Sequence, residues 1–163
     1  MNTSWLLVAL ALNSTLIVGC SENSASNSAA PTPDSSPTVS PVVARNCTII
    51  APYADLKGCD LSGAELAFAN LTYADFTGAN LSGANLGVSD LQFATFTGAN
   101  LSGANLAAAD LRLATFDGAN LTGADLRGAQ LYGASLQDAD LTNANLAGAD
   151  LSAATMPDGS QHP

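Results

Sequence analysis

Three kinds of side chain in this chain could do chemistry: carboxylates at a fixed spacing, a single histidine and three cysteines. Asp90 and Asp110 lie twenty residues apart, with Arg112 beside the second. Paired carboxylates carry out glycoside hydrolysis, one as acid and the other as base or nucleophile. Asp117, Asp138, Asp140 and Asp158 gather toward the carboxyl end and could attract a cation, but no spaced ligand loop accompanies them. His162 is next to last, in a tail of Pro, Asp, Gly, Ser and Gln, so no Ser–His–Asp set assembles around it. The glycines follow a repeat and form no phosphate-binding loop. Cys20, Cys47 and Cys59 are the thiols.

The elements that must position these groups come from that repeat. From Ala54 a unit Ala-(Asn/Asp)-Leu-(Ser/Thr)-Gly recurs every five residues. Its large apolar centre falls at Leu56, Leu61, Leu66, Leu71, Phe76 and onward to Leu151 and Met156: 21 centres, seventeen Leu, three Phe and one Met. Ala stands two places before 19 of them, and the exceptions, Cys59 and Ser89, are equally small. A period of five fits neither a helix nor a flat strand. It fits one side of a coil, with the centre and the small residue inward and the other three outward. Gly two places after the centre lets the backbone turn with positive φ.

A second period sets the number of sides. Phe76, Phe96 and Phe116 are twenty residues apart, and Thr95, Thr115, Ser135 and Thr155 keep the same spacing. Four sides of five make a square coil, and each centre then stacks on the one below at about 4.8 Å. The sequence thus predicts an all-β rod of about five coils. Asp90 and Asp110 occupy the unit's own Asn/Asp slot, where capping the backbone is role enough. No enzyme, metal site or cofactor is predicted.

This unit resembles that of the pentapeptide-repeat family, over essentially all of residues 54–156. The resemblance implies a right-handed quadrilateral β-helix; the handedness comes from the family. It brings no activity, although some members resemble duplex DNA in size and charge and protect DNA gyrase. Fourteen acidic residues against four basic ones, a formal net charge of −10, exclude direct nucleic-acid binding. The same charge keeps open the alternative of an acidic DNA-mimic rod, and a polysaccharide-processing or -binding β-helix is the third reading.

The first twenty residues argue about compartment. Trp5–Leu12 is apolar, Asn13-Ser14-Thr15 interrupts it, and Leu16-Ile17-Val18-Gly19-Cys20 follows. The run is too short and broken for a membrane-spanning helix and suits a secretory signal. Ile17-Val18-Gly19-Cys20 resembles the lipobox of bacterial lipoproteins, which implies cleavage before Cys20 and its acylation. Met1–Ser4 lacks the positive charge usual there. Ser21–Ser40 is polar, with prolines through to Pro41, the composition of a disordered spacer. The expected organisation is a signal peptide over 1–19, a lipidated Cys20 and disordered tether over 20–44, a capped β-helix over 45–157, and a disordered tail over 158–163.

In an exported protein the two remaining thiols, Cys47 and Cys59, either pair as a disulfide or leave Cys59 as another small core residue. Cys47–Tyr53 is expected to cap the amino-terminal end, with Ile49 and Ile50 over the first coil. Large groups stand where Gly or a small residue is usual: Phe68, Tyr73, Val88, Phe93 and Leu113, and Tyr132 beside its centre. On adjoining sides they form a candidate interaction patch, unless the tether folds back over it. The function expected is a non-enzymatic, lipid-anchored scaffold or protein-interaction module outside the cytoplasm. Its partners are the membrane, through the anchor, and a protein the sequence does not name. A homodimer through the carboxyl end, where Leu151 and Met156 have little to cover them, is the rival mode.

Overall fold

A computed structural model describes residues 47–163. The signal peptide, Cys20 and the tether lie outside the described residues. Every bridge of the rod joins a residue to the one twenty places later, in parallel, from Asp55–Asp75 to Ser135–Thr155. The coil is therefore four-sided. We name the sides by one centre each: the Phe76 side, the Leu61 side, the Leu66 side and the Leu71 side, in chain order around a coil.

Each side has the same local structure. The centre's C=O accepts from the N–H three residues on, as Leu81 does from Ala84 at 3.0 Å, and the residue between turns at positive φ, as Gly83 does at 64°. This is the pattern of a type II turn. Between turns the backbone is extended and bonds along the rod: the Leu56 N–H donates to the Asp75 C=O at 2.8 Å, and the Asp75 N–H to the Ala54 C=O at 2.9 Å. The Asn or Asp before most centres closes the local accounting. Asn80 Oδ1 accepts from the Ser82 N–H at 3.2 Å, and its Nδ2 donates to Asp60 Oδ1 one coil back at 3.0 Å. These side chains are caps for turn donors that would otherwise be left to water.

Leu56, Leu61, Leu71 and the centres above them are fully buried through Leu136, with small residues at the corners. Phe76, Phe96 and Phe116 stack at 4.8 Å, so ring spacing and strand spacing coincide.

The two ends differ. At the amino-terminal end Cys47 is joined to Cys59, and Cys47 and Ile50 pack on the core. Ile49, expected beside Ile50 in the cap, faces outward at 53% exposure: only one of two successive residues can turn inward. At the carboxyl end, residues 158–163 are not a loose tail. Asp158 accepts from the Ser160 N–H at 2.9 Å, Gly159 turns at φ 80°, and the chain reverses into an antiparallel pairing of Thr155 with Gln161. The Ala153 N–H and Ala154 C=O, otherwise open at the last coil, bond to His162 at 3.1 and 2.8 Å. Composition suggested disorder; the unsatisfied end of the rod supplies the reason for order. Leu141, Leu146, Leu151 and Met156 remain only partly buried.

Candidate functional site

The predicted carboxylate pair is built into the lattice. Asp90 Oδ1 accepts from the Gln92 N–H at 3.3 Å and from its Nε2 at 3.2 Å. Asp110 caps the Arg112 N–H and holds the Arg112 guanidinium in a two-point contact at 2.8 and 2.6 Å. Burial pushes the Asp110 carboxyl up, but the Arg112 hydrogen bonds and charge outweigh it and leave the group below the usual carboxylate range. A carboxylate held ionised in this way is a poor general acid.

The carboxyl-end acids are dispersed among similar duties. Asp117 accepts from the Ser135 hydroxyl, Asp140 from the Thr142 N–H at 2.9 Å, and Asp158 from Ser160. Among the described residues no three His, Cys, Asp or Glu side chains come together as a metal-sized group. His162 serves through its backbone in the terminal pairing.

What stands apart is apolar. The turn position two places after each centre from Leu56 to Leu151 has positive φ, on all four sides. Gly or a small polar residue fills it throughout the Phe76 and Leu61 sides, ending in Asp138 and Asn143. On the other two sides the same position carries Tyr53, Phe68, Tyr73, Val88, Phe93 and Leu113, at φ between 57° and 61°. A side chain there brings Cβ against the following carbonyl and costs about 1–2 kcal/mol per residue. For β-branched Val88 such a conformation is a rare outlier.

The side chains form two columns. On the Leu71 side, Tyr53, Tyr73 and Phe93 stack parallel along the outside of the rod, with centroids 5.0 and 4.6 Å apart. Leu113 follows and lies over Gly133, where an added Cβ would meet Leu113 Cδ2 at 2.8 Å. On the Leu66 side the column falls away in size, from Phe68 through Val88 and Ala108 to Gly128 and Gly148. Phe68 is 78% exposed and Tyr53 73%, so the strip is broadest and barest near the amino-terminal end. Tyr132 stands half-exposed in a neighbouring column of the Leu71 side, one coil beyond Arg112.

The structure thus places Phe68, Tyr73, Val88, Phe93 and Leu113 on two adjoining sides. It adds Tyr53, which a repeat counted from Ala54 leaves in the cap. The signal was present: Tyr53 is twenty residues before Tyr73, and its N–H already bonds to the Thr72 C=O at 2.9 Å in the regular register.

The sequence profile of pentapeptide repeats matches in eight copies, over residues 53–87, 89–128 and 124–158. The chain belongs to the pentapeptide-repeat family. Its fold is that family's right-handed quadrilateral β-helix. Among solved structures, a pentapeptide repeat protein of the cyanobacterium Cyanothece 51142 is 29% identical, covers 57% of this chain and 84% of its own, and superposes with a TM-score of 0.45. One from Nostoc sp. strain PCC 7120, involved in heterocyst differentiation regulation, is 35% identical over 68% of this chain and 65% of that one, with a TM-score of 0.31. One from the Arabidopsis thaliana thylakoid lumen is 33% identical over 66% and 68%, with a TM-score of 0.32. No curated protein matches the chain.

Proposed function

We propose that this pentapeptide-repeat protein is a non-enzymatic, lipid-anchored interaction rod displayed outside the cytoplasm. One observation carries the interaction role: bulky apolar side chains occupy strained, exposed turn positions on two sides, while the other two sides carry Gly, Asp or Asn at the equivalent points. Strain retained by side chains that stay 40–78% exposed even where they stack on one another is a pointer to function. The polar groups that might do chemistry are spent on capping turns, which favours a scaffold over a catalyst. Export and anchoring are supported by Ile17-Val18-Gly19-Cys20 and the Ser- and Pro-rich stretch after it, and by a Cys47–Cys59 bridge of the kind that persists in oxidising compartments.

Mass spectrometry of the native amino terminus, with membrane fractionation, tests the anchoring. An acylated Cys20 is expected, and Cys20→Ala should leave an unshortened protein that no longer partitions as a lipoprotein. A cytosolic, unprocessed protein would overturn the reading and favour the DNA-mimic rod. Against that alternative stands the mixing of Asn with Asp along the capping columns, as in Asp60, Asn80, Asn100, Asn120 and Asp140, which dilutes the charge.

The carboxyl end supports a second reading, a homodimer. Leu141, Leu146, Leu151 and Met156 are only partly covered, and the Leu141, Leu146 and Leu151 N–H groups form no hydrogen bond among the described residues. Light scattering on the wild type and on Leu146→Asp decides it; a monomer in both removes the dimer.

A further inference from the structure

The reading as an interaction rod leaves the partner's chemistry open, and the inference here rests on that reading. We propose that the two-column apolar strip receives a basic amphipathic helical face of another protein, with apolar residues on the strip and Lys or Arg reaching the acids beside it.

Charge selects among the occupants. The whole chain has fourteen acids and four bases; Glu22, Asp34 and Arg45 precede the described rod, which leaves twelve acids and three bases, an excess of nine negative charges. All three bases are already engaged at 2.6–2.9 Å, Lys57 with Asp75, Arg112 with Asp110 and Arg127 with Asp125. Among the described residues, Glu65 and Asp90, in the capping slots of the two sides that bear the strip, form no ion pair, although Asp90 lies within the field of Arg112. A second copy laid side by side along the strip, unlike one meeting it end to end, would set the acids of these sides against the same acids, and an anionic lipid surface would be repelled in the same way. The chain's own segment 21–46 holds one base, two acids and no aromatic residue, so it brings neither the charge nor the bulk to cover the strip. A cationic partner with an apolar centre meets both demands.

Backbone chemistry selects the shape. Along the sides of the rod most main-chain N–H groups are spent coil to coil, within turns or on Asn and Asp caps. The turn carbonyls of Phe68, Tyr73, Val88 and Phe93 accept no backbone bond among the described residues, but acceptors alone, without alternating donors, make no edge to which a strand could add. An extended segment would find no row of donors there for its own C=O groups. A helix satisfies its backbone internally and contacts only through side chains. Its apolar residues three and four apart recur every ~5–6 Å, close to the 4.6–5.0 Å rungs of Tyr53, Tyr73 and Phe93.

The test is fluorescence anisotropy of the full chain with a labelled synthetic helix of Leu and Lys, set against a twin with Glu in place of Lys. Four outcomes support the proposal together. The Lys helix binds at least tenfold tighter than the Glu twin. High salt weakens that binding. The triple substitution Phe68→Ser, Tyr73→Ser, Phe93→Ser weakens it at least tenfold while melting is retained. Asp60→Asn with Asp140→Asn, on the bare Leu61 side, changes it less than threefold. Should the triple variant lose its fold, Phe68→Gly alone serves, with a threefold loss expected. Equal binding by the triple variant, or equal loss from the Leu61-side change, reduces the effect to general attraction by acids and overturns the proposal. So does self-association, or binding to anionic vesicles, that disappears with the triple substitution, since the strip would then belong to a second copy or to lipid. None of these outcomes bears on acylation of Cys20, so anchoring stands or falls separately.

Discussion

Removing the most exposed ring of the strip should leave the stability of the fold nearly unchanged. Phe68 sits at φ 61° with 78% of its surface in water. Replacing it by Gly relieves left-handed strain of about 1–2 kcal/mol. The new Gly returns about 0.5–1 kcal/mol through its greater freedom in the unfolded chain. The buried fifth of the ring forfeits about 0.5 kcal/mol, taking full burial as about 1.5–3. The sum lies between a loss of about 0.5 and a gain of about 1 kcal/mol. Leu66, two residues earlier and 2% exposed, is the contrast: Leu66→Ala removes core and should cost about 2–5 kcal/mol. Urea unfolding followed by circular dichroism compares the two on one scale. If Phe68→Gly destabilised by more than about 2 kcal/mol, a size typical of buried groups, Phe68 would be structural and the argument from retained strain would collapse.

Four further outcomes follow from the same geometry. Reducing the Cys47–Cys59 bridge, or Cys47→Ser, frees a closure of twelve residues and should cost about 3 kcal/mol by loop entropy, read as a drop in Tm with reductant; an unchanged Tm would mean the amino-terminal cap is not held by it. Phe96→Ala empties a ring stacked on both faces and should cost about 3–5 kcal/mol, while Phe96→Leu, common in the other columns, should cost much less. Gly133→Ala and Gly123→Ala impose the same positive φ, but only the first meets a neighbour, Leu113 at 2.8 Å; Gly133→Ala should therefore lower Tm more, and equal losses would remove Leu113 from its place over Gly133. For Asp75, burial raises the carboxyl's pKa, and the Thr77 hydrogen bonds with Lys57 more than offset it, so the folded value lies below the ordinary one. The stability this confers is present above about pH 4 and is lost as pH falls through the folded value. Lys57→Met should move acid unfolding to higher pH, and an unmoved titration would show that the pair contributes nothing.

Most of the architecture was legible before any coordinates, because it follows from a period. Leu at every fifth residue and Phe at every twentieth allow one arrangement of inward groups, and the Asn or Asp before most centres announces a turn that must be capped. The apolar strip was legible for the same reason: Phe68, Tyr73, Val88, Phe93 and Leu113 stand out against a regular background of Gly and small polar residues. Periodicity carries no information where the period stops. Nothing in the pattern says which of Ile49 and Ile50 turns inward, or that His162 returns to bond at Ala153 and Ala154 in place of trailing into solvent. Those outcomes depend on backbone groups left open at the ends of the rod, which exist only once the coils have stacked. Likewise, spacing put Cys47 and Cys59 near one end but left pairing and separate burial equally open, and the path of the cap across the first coil decided between them. The backbone conformation at the strip is also tertiary in origin. A phenylalanine has no reason of its own to adopt φ near 60°; the corner of a square coil demands it, because the coils above and below hold the turn in place.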